Sequence, residues 1–285
     1  MTTFSGIWKF SFAATAGVLG CLLSAAIASS HDMGAMEHAM APNEMGSHMR
    51  MMENHMRMTE LRSPAADDET RAHAILETLR SSLERYRNYR VALAKGMRIF
   101  LPGIPQEDYH FTDFAQAGLE YQGRFDISHP GSLLYTRDAA CDYTLIGAMY
   151  SAPPEATMDD LDAIVPLSIS RWHVHTNICI PEQMTIGDLF RNDLGADRTG
   201  LPGLLPVSAT NAVELNRRYG FLADGRFGFE GTISDSRQCN AAGGHFYDQV
   251  FGWMVHVYPF AGDDLKVAYG MDVPKPVAAT ASVSR

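Results

Sequence analysis

The pattern of hydrophobic and polar positions first becomes regular at about residue 67. Over residues 69–95, apolar side chains recur at helical spacing with Arg and Glu between them, at Ile75, Leu79, Leu83 and Tyr86. Such a stripe is typical of a helix that packs one face on a core, and Asp67 or Asp68 can cap its start. The pattern predicts a structural amphipathic helix over residues 69–95.

After Gly96 the pattern changes to short alternating segments that Gly, Pro and Asp interrupt, which is typical of strands joined by turns. The predicted strands are 132–135, 143–151, 167–180, 227–233, 250–258 and 266–271. A hairpin turn is predicted at 223–226, and a short helix at 211–219 follows a Gly/Pro-rich loop at 194–206. We expect an α+β fold: an N-terminal helix packed on a β-rich, sandwich or barrel-like domain, as one unit over residues 67–275.

The first 28 residues have the layout of a secretory signal peptide. Lys9 precedes an apolar run over residues 10–23, and small residues then end in an Ala-x-Ala pattern at Ala28. The apolar run is too short to favour a membrane span. Residues 17–21 also resemble a lipoprotein cleavage site, which would place a lipid on Cys21. Cleavage after Ala28 is the preferred interpretation, so we expect a periplasmic or secreted protein. At the other end of the chain, residues 276–285 are expected to be disordered.

A flexible tail and linker rich in methionine and histidine is predicted over residues 29–66. It holds nine of the chain's 16 methionines and almost no other large apolar residue, so core packing does not explain them. Thioethers favour Cu(I) or Ag(I), and imidazole also accepts Cu(II), Zn and Ni. This composition predicts metal binding. The candidate tail ligands are Met33, Met36, His38, Met40, Met45, His48, Met49, Met51, Met52, His55, Met56 and Met58.

The strongest local signal is the segment RWHVHTNICI at residues 171–180. Side chains of a strand alternate between its two faces. One face would carry Trp172, Val174, Thr176, Ile178 and Ile180, and the other His173, His175, Asn177 and Cys179. The two imidazoles would lie on one side, about 7 Å apart at Cα, which is close enough to chelate one ion.

A second segment, FGWMVHVY at residues 251–258, repeats this design. Phe251, Trp253, Val255 and Val257 would share the core face, opposite Met254, His256 and Tyr258. If the two strands share a sheet, His256 completes a three-histidine site, and His245 just before the strand is a natural fourth ligand. The predicted metal ligands are His173, His175, His256 and His245, which suit copper, with zinc as the alternative. His110 and His129 are interpreted as structural residues.

Charge and cysteine content narrow the partners and the compartment. The net charge of −10 is dispersed and no Lys/Arg block occurs, which argues against nucleic acid or an anionic membrane as partner. The predicted mature chain keeps Cys141, Cys179 and Cys239, whose pairing the sequence leaves open. Cys179 with Met254 could belong to a His/Cys/Met copper centre, but a Cys179–Cys239 disulfide is the preferred interpretation.

Known catalytic and nucleotide-binding motifs are absent from the sequence, and the His-x-His pair matches the cupin pattern only in part. Four stretches, SLLY at 132–135, IGAMY at 146–150, WHVH at 172–175 and FGWMVH at 251–256, resemble signature stretches of a family of exported bacterial proteins with no settled function. The resemblance implies a shared domain over about residues 70–260 and supplies no role.

The sequence therefore favours an exported protein that binds a transition metal, with copper as the preferred ion. Its role would be metal capture, metal delivery or metal tolerance. The alternative is an extracytoplasmic, copper- or zinc-dependent metalloenzyme in which the same histidines leave a coordination position open. A further alternative is an envelope interaction protein with a structural metal or none. Protein partners and catalytic residues are not predicted.

Overall fold

A computed structural model describes residues 53–101, 106–138, 142–182 and 225–274. The predicted signal peptide, the predicted tail up to Met52, the predicted loop at 194–206, the predicted helix at 211–219, residues 223–224 of the predicted turn and residues 276–285 therefore lie outside the described residues. The strands are β1 (Met56–Met58), β2 (Arg98–Ile99), β3 (Tyr109–Thr112), β4 (Ser132–Arg137), β5 (Tyr143–Ala152), β6 (His173–Pro181) and β7 (Gly244–Val257).

These seven strands form one antiparallel sheet with the order β1-β6-β7-β5-β4-β3-β2. The helices are α1 (Asp68–Leu83), a 3₁₀ helix (Glu84–Arg87), α2 (Tyr89–Ala94), α3 (Phe114–Glu120), α4 (Met158–Ile164), α5 (Ser236–Ala241) and α6 (Leu265–Ala268). The predicted α+β class is confirmed. The described strands form a single sheet, however, and not the two packed sheets of a sandwich.

Helical residues and one face of the sheet share the main apolar core. Leu76, Leu79 and Leu83 of α1 are buried in the same cluster as Trp172 and Val174. Other members of this cluster are Phe111, Leu133, Tyr135, Ala148, Tyr150, Trp253, Val255 and Val257. The main core therefore lies on one side of the sheet, and polar side chains can occupy part of the opposite face.

The predicted helix at 69–95 is divided into three pieces: α1, the 3₁₀ helix that begins at Glu84, and α2, which begins after Asn88. Asn88 has an extended backbone, and its side chain accepts a hydrogen bond from the amide of Arg90, so it caps a new helix. At the start, the Asp68 carboxylate accepts from the Ala65 amide and the Ser168 hydroxyl. Among the described helices, none combines the length and the apolar character needed to cross a membrane.

Three strand predictions need correction. The predicted strand at 167–180 begins only at His173, because residues 166–170 form a turn. Residues 227–233 are turns and bends, and Phe227 and Ile233 pack beside a disulfide. Residues 266–271 do not form a strand. Residues 266–268 belong to the short helix Leu265–Ala268, and the Asp264 side chain caps its start by accepting a hydrogen bond from the Lys266 amide.

Glu120 is a fully buried carboxyl group at the end of α3. Its Oε1 accepts from the Gly131 amide at 2.7 Å, and its Oε2 accepts from the Ser151 amide at 2.8 Å. Burial raises the pKa of this carboxyl to about 8, and the two amides oppose that rise. Glu120 therefore joins the end of α3 to β5 and to the residue before β4.

We expect the free energy of unfolding to fall as pH rises from about 5 to about 8. The unfolded chain releases the Glu120 proton near its ordinary pKa, whereas the folded chain holds it up to about pH 8, so rising pH favours unfolding. The loss is at most about 4 kcal/mol. Urea unfolding at both pH values measures it, and Glu120→Gln, which cannot ionise, should lose this pH dependence. A wild type that gains stability over this range relative to Glu120→Gln would contradict the assignment.

Candidate metal centre

The open face of the sheet carries histidines from β6 and β7. Trp253 and Val255 point into the helix-side core, so Met254 and His256 lie on the opposite face. Likewise Val174 is in the core, and His173 and His175 lie on the open face. This part of the predicted alternation agrees with the observed core.

The predicted alternation fails beyond His175. Asn177 has a positive φ of 57°, a left-handed conformation that asparagine tolerates and that breaks the regular alternation of faces. Ile178 and Ile180 consequently pack with Val250 in a separate apolar cluster, and not with Trp172 as predicted. Phe251, with φ of 63°, departs from the predicted core face in the same way and joins that second cluster.

Four histidine rings meet on this face. The ring centroid of His173 lies 5.6 Å from that of His175 and 5.2 Å from that of His256. His110 of β3 completes the group, with its centroid 5.3 Å from that of His256. Strands β4 and β5 lie between β3 and β7 in the sheet, and the cross-strand row that begins at His110 continues through Leu134 of β4 to Gly147 of β5. We call His110, His173, His175 and His256 the histidine cluster.

The distance between His110 Nε2 and His256 Nε2 is 3.4 Å. This is long for a hydrogen bond that an N–H donates. Two imidazole nitrogens bound to one tetrahedral ion at 2.0–2.1 Å are separated by about 3.4 Å. Asp108 supplies a third ligand atom, and one ligand atom from each of Asp108, His110 and His256 lies within 4.8 Å of the others. These three residues form a group that could hold a metal ion.

A hydrogen-bonding group supports His256 from behind. Its Nδ1 lies 3.1 Å from the Tyr258 hydroxyl. Metal-binding histidines usually donate their second ring N–H to such an oxygen, which fixes the ring orientation. Burial raises the pKa of Tyr258, so this hydroxyl stays protonated at neutral pH. His256 can therefore present Nε2 while Nδ1 is held.

Burial keeps His173, His175 and His256 neutral. It lowers the pKa of His175 to about 4, and burial, followed by the neighbouring histidines, lowers the pKa of His173 and of His256 well below the ordinary value. Neutral imidazole is the form that binds metals. The Nδ1 atoms of His110, His173 and His175 and the Oδ2 atom of Asp108 are buried without a hydrogen-bond partner among the described residues. A buried polar atom without a partner lowers the stability of the folded state. A bound metal ion is one kind of partner for such nitrogen and oxygen atoms.

The structure does not bring every predicted ligand to this cluster. His245 pairs with Ile180 at the far end of the β6–β7 ladder, seven residues along β6 from His173, and is exposed. His55 is fully buried, and its two ring nitrogens lie 3.0 and 2.8 Å from the carbonyl oxygens of Asn177 and Gly231. Met56 and Met58 form β1, beside the cluster. The remaining tail ligands, Met33 to Met52, lie outside the described residues.

Two other residues weighed in the sequence also lie elsewhere. His129 is exposed and contacts Asp126, at 2.7 Å between Nδ1 and Oδ2. Cys179 forms a disulfide with Cys239, so the preferred interpretation is confirmed and Cys179 is not a copper ligand.

Sequence reasoning missed Asp108 and undervalued His110. A local signal was present, because Tyr109 and Phe111 alternate with them and are buried in the helix-side core.

Comparison with protein-family models, with curated proteins and with solved structures gives no match to this chain, so its function is argued from the chemistry of its own residues.

Proposed function

We propose that this protein is an exported transition-metal-binding protein whose histidine cluster holds the ion, with copper the preferred ion and zinc the alternative. The observation that carries the proposal is the 3.4 Å separation of His110 Nε2 and His256 Nε2 beside the Asp108 carboxylate. That separation matches two ligands of one tetrahedral ion. His173 and His175 border this group and carry buried Nδ1 atoms without a hydrogen-bond partner among the described residues, although the group of three ligand atoms does not include them.

Copper is preferred because of the chain that precedes the cluster. Imidazole serves both copper and zinc, but thioether sulfur favours copper in its monovalent state. The Met/His-rich segment ends in β1, which pairs directly with β6 at His173 and His175. In this proposal the tail captures the ion and the histidine cluster holds it.

Export is supported by two independent features. The first 28 residues follow the signal-peptide pattern. The Cys179–Cys239 disulfide suits an oxidising compartment such as the periplasm or the cell exterior. Periplasmic or secreted location is thus part of the proposal, with a lipid on Cys21 as the less favoured form.

The test compares metal content and copper affinity in three proteins: the mature chain, a chain lacking residues 29–52, and a His173→Ala/His175→Ala variant. The deletion ends before β1, so it leaves the sheet intact. Copper binding that disappears with the two histidines supports the folded site. Copper binding that disappears with the tail and persists in the double variant would assign the function to the tail alone and refute the proposal for the cluster.

Metal binding should raise the unfolding temperature. An ion that binds only the folded state, present at 100 times its Kd, stabilises that state by about 2.7 kcal/mol. For a domain of this size this corresponds to a rise of roughly 5–10 °C. Differential scanning calorimetry with and without Cu(II) or Zn(II) measures it. A His110→Ala/His256→Ala variant should show no rise, and an equal rise in that variant would indicate binding elsewhere.

A metalloenzyme is the second candidate, and an acid–base group beside the cluster favours it. The Tyr258 hydroxyl lies 3.1 Å from His256 Nδ1 and could move a proton near a bound ion. Three ligand atoms from Asp108, His110 and His256 also leave coordination positions open. Azide added to the Cu(II)-loaded protein tests this, because an open position gives a new charge-transfer band. A spectrum that azide does not change would favour the binding protein.

A further inference from the structure

Every methionine in the described strands lies directly opposite a histidine of the cluster. Met56 of β1 pairs with His175, and Met58 pairs with His173. On the other side of β6, Met254 of β7 also pairs with His173. In β5, Met149 pairs with His256. Met97 lies between α2 and β2 and belongs to the helix-side core.

The neighbours of these methionines show that they share the open face with the histidines. Arg57, between Met56 and Met58, stacks on Trp253, whose ring belongs to the helix-side core, at 5.2 Å. Ala148 and Tyr150 are likewise in that core, so Met149 points away from it. The same alternation places Met254 between Trp253 and Val255.

Cross-strand pairing brings each thioether within reach of an ion that the histidines hold. Side chains directly opposite each other on antiparallel strands have Cβ atoms about 5 Å apart. Methionine has three flexible torsions beyond this point, so its sulfur can approach the same ion. Met254 is buried, yet it belongs to none of the three apolar clusters formed by the described residues. Packing in an apolar core therefore does not account for it.

We propose that Met56, Met58, Met149 and Met254 line the histidine cluster with thioether groups, a subset of which binds the ion together with imidazole, so that the site selects a soft monovalent ion. That ion is Cu(I), with Ag(I) as its non-redox analogue, in preference to Zn(II). The inference rests on the proposed function, since it assumes that the histidines bind a metal. It adds the oxidation state and the selectivity of the site, because thioether sulfur binds soft ions and contributes little to zinc.

The experiment follows the methionine methyl groups of the full-length protein, labelled with carbon-13, while Ag(I) is added. Single Met→Leu variants assign the four signals, and leucine nearly conserves the side-chain volume. We expect Ag(I) to shift all four signals and to leave that of Met97 in place. The same titration with Zn(II), read on the histidine ring protons, should perturb the histidines more than the methionines.

A combined Met56→Leu/Met58→Leu/Met149→Leu/Met254→Leu variant should lose Cu(I) affinity by about tenfold or more, with little change in Zn(II) affinity. Met97→Leu is the matched control. If Zn(II) perturbs the histidines while Ag(I) moves only the methionines that precede Met56, the inference fails and the proposed function stands. If neither ion perturbs the histidines, the proposed function fails and the inference with it. Equal losses for Cu(I) and Zn(II) in the combined variant would show a packing role and overturn the selectivity.

Discussion

Replacing His256 by alanine is expected to lower the affinity of the folded site for Cu(II) and Zn(II) by about 100-fold or more. Loss of a residue that only supports a metal ligand costs about 10- to 100-fold, so loss of a ligand should cost at least the upper value. His256 is the residue through which the cluster is connected, because it contacts His110, His173, Tyr258 and Asp108. Competition against a coloured chelator measures the affinity, using the chain without residues 29–52 so that tail ligands do not contribute.

His245→Ala is the matched control for this variant. It removes one imidazole from the same strand, β7, at the end far from the cluster, where the side chain is exposed. Its metal affinity should equal that of the unsubstituted chain, and circular dichroism should show that both variants fold. Equal affinity in His256→Ala and the parent, or a large loss in His245→Ala, would contradict the assigned ligands.

Local alternation was enough to predict much of the ligand face. His173, His175 and His256 belong to strands in which every second residue is apolar, and a period of two is a property of neighbouring residues. The same rule failed after His175 because Asn177 adopts a left-handed conformation, which changes the faces of all later residues in β6. Asparagine is among the residues that tolerate this conformation, but the sequence does not say that it does so here.

The rest of the site depends on pairing between distant strands. His110 lies in a four-residue strand, too short for a clear pattern, and its contact with His256 spans the two intervening strands β4 and β5, so it depends on how the whole sheet is assembled. A Cβ at Gly147 would lie 2.4 Å from the Val257 carbonyl oxygen and 2.9 Å from the Tyr258 ring. This close approach positions Tyr258 beside His256, and no periodicity in one segment encodes it.

The boundary between tail and domain also depends on tertiary contacts. In the sequence, Met56 and Met58 resemble the end of a polar tail, because the residues around them include no Val, Ile, Phe, Tyr or Trp, the residues that are typical of strands. They form a strand because β6 supplies the backbone partners and because the buried His55 ring contacts the carbonyl oxygens of Asn177 and Gly231. The Met/His-rich composition of the tail thus continues into the sheet, and Met56 and Met58 lie opposite the cluster histidines.

Breaking the Cys179–Cys239 disulfide is expected to lower the free energy of unfolding by about 4 kcal/mol. The bond closes a loop of 60 residues, and a loop of this length restricts the unfolded chain by about that amount. The two sulfurs are fully buried with Phe227 and Ile233, so the Cys179→Ala/Cys239→Ala variant also loses some packing. Urea unfolding of the oxidised protein, the reduced protein and this double variant measures the loss.

Metal affinity gives the control, because the disulfide and the histidine cluster lie at opposite ends of β6. Cys179 is six residues from His173, about 20 Å along an extended strand, and it ties β6 to α5. Reduction should therefore lower stability and leave the Kd for Cu(II) or Zn(II) unchanged at temperatures where the protein stays folded. A Kd that rises on reduction in the folded protein would show that the sulfurs influence the ion directly, and would revive a role for Cys179 as a ligand.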